Sequence, residues 1–114
     1  MRLLRPAKRF KGFSMEYREI EHLSDLLKSI AHPIRLKILC LLQEREMTVG
    51  DLRNAVQTTN ANVSQHLSIL RNHGIIGFRK DANYIYNRIV DARMTELIKT
   101  MRGLFCEQAV SKTA

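Results

Sequence analysis

A chain of 114 residues with 45% hydrophobic content has room for one hydrophobic core and little for a second, and that composition excludes wholesale disorder. The net charge of +8 favours a polyanionic partner, but Arg2, Arg5, Lys8, Arg9 and Lys11 precede the first acid, Glu16, and leave only +3 for the rest. No apolar run approaches the roughly 20 residues that span a bilayer, and the basic start lacks the apolar stretch of a secretory signal, so a cytoplasmic location and no membrane partner are expected.

Residues 1–14 read as a basic arm, interrupted by Pro6 and Gly12, that could touch phosphates without sequence preference. A helical period begins after Glu16, with Ile20, Leu23, Leu26, Leu27 and Ile30 on one stripe. Ala31-His32-Pro33 must end that helix, because proline disfavours helical geometry in the residue before it. Pro33 suits the first position of a second helix, apolar nearly all round from Ile34 to Leu42 and therefore central. Thr48 and Asp51 form a capping-box pattern ahead of a short third helix that ends near Val56.

A fourth helix follows after a tight turn, which is the helix-turn-helix arrangement. Thr59 stands at its N-cap position, and Val63, Leu67 and Leu70 form its buried stripe. Its other face carries Asn60, Asn62, Ser64, Gln65 and Ser68 where a surface helix would ordinarily carry Lys and Glu. Amides and hydroxyls suit base edges in a major groove, where Asn or Gln can read adenine bidentately. Thr59, Asn60, Asn62, Ser64, Gln65 and Ser68 are therefore candidate DNA contacts, with Asn60, Ser64 and Gln65 foremost for bases and His66 bracing the helix. The alternative is an ordinary amphipathic helix with a polar face.

Asn72-His73-Gly74 supplies a helix stop. Ile75–Lys80 and Tyr84–Ile89 are rich in β-branched and aromatic residues around Asp81-Ala82-Asn83, which predicts a β-hairpin. Its tip is expected to carry Arg79 and Lys80 on one side and Arg88 on the other; with Arg71 they would bind phosphate. Asp91 can cap a last helix with a stripe of Met94, Leu97, Ile98, Met101 and Phe105. The core is expected to be filled by the second to fourth helices and the hairpin. The first and last helices would then lack partners within the chain and form a homodimer, its half-sites on operator DNA about 34 Å apart. The fold expected is mainly α with a β-hairpin wing (α+β): a basic arm at 1–14, a winged helix-turn-helix domain at 15–110 and a tail at 111–114.

That order of elements resembles the ArsR/SmtB family of winged-helix repressors over nearly all of residues 19–107. The resemblance is carried by Leu26–Leu39 with its Ala31-His32-Pro33-Ile34-Arg35 core, by Val49-Gly50-Asp51-Leu52, by Val63-Ser64-Gln65-His66-Leu67-Ser68-Ile69-Leu70, and by Gly74-Ile75-Ile76 and Tyr86. It implies a homodimer whose reader helices enter consecutive major grooves of double-stranded operator DNA and whose inducer lowers affinity. Two metal sites found in the family look absent. Met47-Thr48-Val49-Gly50-Asp51 holds no thiol where a Cys-x-Cys pair would stand, and no histidine lies beyond His73. No metal and no cofactor are therefore expected.

The two cysteines, Cys40 and Cys106, are too few for a secreted disulfide scaffold and form no CxxC motif. On their own they read as small buried hydrophobes. Their positions in the second and last helices resemble the dithiol branch of the family, which implies sensing of reactive sulfur species or oxidants through a disulfide or polysulfide link. Arg102, one turn before Cys106, favours the reactive thiolate, so Cys106 is expected to attack first and Cys40 to resolve. A thiol-based metal- or metalloid-responsive repressor and a non-sensing DNA-binding antisilencer remain as alternatives. The lack of CxxC, of an activating histidine and of a Gly-rich loop argues against an enzyme.

Overall fold

The protein is described by a computed structural model over residues 16–106. Helix α1 (Tyr17–Ile30) begins with the Glu19 carboxylate accepting from the Glu16 backbone N–H at 2.8 Å. Pro33 opens α2 (Pro33–Glu44), where the His32 ring caps the helix by accepting from the Ile34 N–H at 3.0 Å. Both arms of the expected capping box form at α3 (Val49–Val56): Thr48 Oγ1 accepts from Asp51 N–H, and an Asp51 carboxylate oxygen accepts from Thr48 N–H, each at 3.1 Å. Aspartate is thus long enough to complete it.

Gln57 ends α3 at φ +63, and Thr59 caps α4 (Asn60–Asn72) by accepting from the Asn62 N–H at 3.1 Å. Gly74, at φ +71, turns the chain out of α4, a backbone region open to glycine without steric cost. Strands β1 (Ile76–Asp81) and β2 (Tyr84–Ile89) pair antiparallel, and α5 (Ala92–Phe105) follows, capped by Asp91. Ala82 takes φ +57 at the two-residue turn, because such hairpin turns need a positive φ to match strand twist. The element order is the one expected. The arm at 1–14, the tail at 111–114, and residues 15 and 107–110 of the expected domain lie outside the described residues.

One core joins all five helices and the hairpin. Ile38, Leu39 and Leu42 of α2 meet Leu52 of α3, Val63, Leu67 and Leu70 of α4, and Ile75 and Ile76 at the base of β1. Fully burying each such side chain contributes about 1.5–3 kcal/mol. A short bridge anchors the wing: Asn87 and Met47 exchange backbone hydrogen bonds at 2.8 and 3.2 Å, and Asn87 Nδ2 donates to the Met47 carbonyl at 3.1 Å.

The last helix corrects one expectation. Met94 and Ile98 are core residues, and Leu97 and Met101 pack against them, so the stripe of α5 does have a partner within the chain. The reason lies in α2, which is apolar nearly all round. A two-stranded hairpin is too narrow to cover the face left by α3 and α4, and α5 closes it. Only the outer part of the expected stripes stays open: Ile20, Leu23 and Leu27 on α1, and Phe105, with its neighbour Leu104, on α5.

Candidate nucleic-acid interface and thiol pair

The α4 stripe predicted to face the core does so, which turns the amide-rich side outward. Asn60, Ser64, Gln65, Ser68 and Arg71 are exposed, whereas His66 is buried as a brace. Asn62 is half-buried and its Nδ2 donates to Thr58 Oγ1 at 3.0 Å; Thr59 is committed to its cap. Asn60 Oδ1 accepts from Arg53 Nη1 at 3.2 Å. Arg53, in the last turn of α3, was missed by sequence reasoning. Its signal was its place seven residues before Asn60, across a turn short enough to bring the two together.

The wing corrects a second expectation. Arg88 is opposite Gly77 at the base of the hairpin, not at its tip, because the turn occupies only Ala82 and Asn83 and so sets the register. Alternation along the strands puts Lys80 on one face and Arg79 with Arg88 on the other. Lys80 and Arg88 are exposed. Arg79 is engaged within the chain: Nε donates to Glu46 Oε1 at 2.6 Å, Nη1 lies 3.7 Å from Asp81 Oδ2, and the guanidinium sits over the Tyr86 ring at 4.8 Å. Arg71 similarly covers Phe78, 5.2 Å from the ring centre, and so links the end of α4 to the wing.

Behind α4, the His66 ring lies 4.4 Å from that of His32, and His66 Nδ1 is buried without a hydrogen-bond partner. Burial first, then the His32 and Arg35 charges, hold the His66 imidazole below its ordinary pKa. The pair joins the start of α2 to the middle of the outward-facing helix.

Both cysteines are free thiols, Cys40 half-buried on α2 and Cys106 exposed at the end of α5. Burial pushes the Cys40 thiol up; the Arg102 cation pulls it down, negative charge on Cys106 pushes it up, and Lys37 pulls it down, with burial prevailing. Arg102 also ties the helices together, with Nη1 3.5 Å from Gln43 Oε1 and 3.7 Å from Glu44 Oε2. Gln43 Nε2 donates to the Thr95 carbonyl at 2.8 Å. Among the described residues, no group of three or more His, Cys, Asp or Glu could hold a metal ion, and no helix is long and apolar enough to cross a membrane.

A short helix, a tight turn, an outward amide-bearing helix and a two-stranded wing on one core define a winged helix-turn-helix protein. The family profile described as "Bacterial regulatory protein, arsR family" matches residues 32–77. The "Biofilm growth-associated repressor" of Xylella fastidiosa is 35% identical over 94 residues, covering 82% of each chain. The "Transcriptional activator HlyU" of Vibrio cholerae is 33% identical over 101 residues, covering 85% of this chain and 94% of that one. A solved structure described as reduced HlyU from Vibrio cholerae superposes with a TM-score of 0.74 at 30% identity, covering 79% of this chain and 95% of that chain. The protein belongs to the ArsR family of bacterial transcriptional regulators, and is a DNA-binding regulator rather than an enzyme.

Proposed function

We propose that this regulator is a homodimeric, sequence-specific repressor that releases operator DNA when Cys40 and Cys106 become covalently linked. The observation that carries the reading is the placement of the two free thiols: Cys40 is half-buried on α2, and Cys106 is exposed at the end of α5, a helix tied to α2 through Arg102 and Gln43. Helix α2 in turn touches both α3 and α4. A solved relative described as reduced adds support. Exposed Ile20, Leu23 and Leu27 on α1, with Leu104 and Phe105 on α5, offer the apolar surface for a second copy.

The chemistry balances with either inducer. With an organic persulfide, the Cys106 thiolate attacks the persulfide's inner or outer sulfur, and Cys40 displaces the acquired group. Two protein thiols and one persulfide molecule give one protein disulfide, one organic thiol and one hydrogen sulfide. With an organic hydroperoxide, the peroxide accepts the two electrons and leaves as an alcohol and water. A second persulfide molecule, consumed with release of a second organic thiol, leaves one extra sulfur atom between the cysteines, and the resulting polysulfide relaxes the Cα separation of about 4.4–6.8 Å that a direct bridge requires. Either link draws the end of α5 toward α2, and a coupling of about 1–3 kcal/mol to the DNA-binding form suffices for regulation.

The test is fluorescence anisotropy on a duplex selected by the reduced protein from a random-core library, before and after treatment with an organic persulfide or hydroperoxide. Affinity falls about 5–150-fold on linking if the coupling is of that size. Mass spectrometry separates disulfide from polysulfide. Release by Cys106→Ser equal to wild type sinks the switch.

A further inference from the structure

We propose that Arg53 is a specificity-determining positioning residue that holds the Asn60 side chain by its oxygen, so that position 60 turns its N–H donors toward DNA. The proposal rests on the assignment of α4 as the base-reading helix. Arg53 Nη1 lies 3.2 Å from Asn60 Oδ1, while Nε and Nη2 both donate to Asn54 Oδ1, at 3.2 and 3.1 Å. The guanidinium is therefore gripped along one edge by its own helix and extends the remaining nitrogen across the turn.

The orientation of Asn60 follows from chemistry. Arginine has five N–H donors and no acceptor, so the amide atom facing it has to be the oxygen. The Nδ2 amino group is then the part left to turn outward. Bidentate reading of adenine needs the amide oxygen to accept from N6 while the nitrogen donates to N7. With Oδ1 turned back toward α3, that arrangement is lost. A donor edge matches best guanine, whose O6 and N7 both accept, or the O4 of thymine, whereas adenine offers N7 alone and sets its N6 donor beside it.

Three features make the arrangement specific to this turn. Gln57 at φ +63 reverses the chain sharply enough to bring residues seven apart into contact. Asn62, the other amide near the start of α4, is half-buried and bonded to Thr58, so it does not compete for Arg53. Arg53 also differs from Arg79, whose partner is a carboxylate: its partners here are neutral amides, and its charge remains uncompensated by them.

That remaining charge raises the rival possibility that Arg53 binds a DNA phosphate, and the experiment separates the two. Wild type, Arg53→Ala, Arg53→Met, Asn60→Ala and the Arg53→Ala/Asn60→Ala double variant are each run against a random-core duplex library. Affinities for the enriched duplex and its single-base variants are then measured across a salt series. Arg53→Met keeps the side-chain stem and guards against a packing defect in the alanine variant; circular dichroism confirms folding. The base position read by residue 60 is the one whose preference vanishes in Asn60→Ala.

At that position wild type prefers guanine or thymine over adenine by about tenfold, within the range of one well-made base contact. Both Arg53 variants reduce that preference to about threefold or less, the double variant adds nothing to Asn60→Ala, and the salt slope stays at the wild-type value. Uniform weakening on all sequences with the slope reduced by about 1 marks a phosphate ligand and overturns the proposal. Adenine preferred at that position by wild type also overturns it. A wild-type protein that enriches no sequence overturns the assignment of α4 as reader, and the clamp with it.

Discussion

Ile98→Ala tests whether the last helix belongs to the core of the chain or only to the contact proposed between two copies. Ile98 is 1% exposed and shares the core with Leu39, Leu42 and Met94. The change removes three carbons, worth about 0.8 kcal/mol each in transfer from water, and leaves a cavity that raises the usual cost of such truncations to about 2–5 kcal/mol. Alanine's better helix propensity returns a few tenths of a kcal/mol. The expected loss is about 3 kcal/mol. Leu23→Ala, at 42% exposure, is expected to cost within about 0.5 kcal/mol of subunit stability but to weaken self-association. The assay is urea unfolding at two protein concentrations, paired with sedimentation equilibrium, because association makes apparent stability concentration-dependent. A loss below about 1 kcal/mol for Ile98→Ala, with an unchanged m-value, refutes the place given to α5. Unaltered association in Leu23→Ala refutes the outward face of α1 as the dimer contact.

The His66 imidazole is held below its ordinary pKa by burial and by the His32 and Arg35 charges, so the unfolded chain binds the proton more readily than the folded one. Stability from this group is therefore present above the unfolded pKa of about 6.5 and is lost as pH falls below it toward the folded value. Thermal melts from pH 7.5 to 5 should show a falling Tm whose slope diminishes in His66→Gln; an unchanged slope counts against the histidine pair as its source. Ala82→Gly should raise stability by about 1 kcal/mol, since Ala82 occupies a positive φ of +57 that costs an L-residue about that much. Chemical denaturation measures it, and a loss of stability would show that the turn adopts another conformation.

Much of the candidate interface was legible because its presentation depends on short-range rules. The stripe Val63, Leu67 and Leu70 dictated which side of α4 faces outward, since a helix has one way to bury residues at that spacing. Thr48, Thr59 and Asp91 stood at caps because their side chains replace missing backbone partners within three residues. What each polar group touches was not legible. Arg79 looked free until the register brought it against Glu46, 33 residues away in sequence, and the seven-residue spacing alone did not say that the turn brings Arg53 to the Asn60 oxygen.

The sequence by itself determined the elements, their order and the outward presentation of Asn60, Ser64 and Gln65, because periodicity, caps and turn residues act over a few positions. Tertiary structure alone decided that α5 completes the core, that Arg88 lies at the base of the wing, and that Arg53 reaches the Asn60 oxygen. The first two outcomes depend on how much of α2 its neighbours leave uncovered and on a turn that holds only two residues. No local pattern encodes either quantity. It is set when the pieces are packed together.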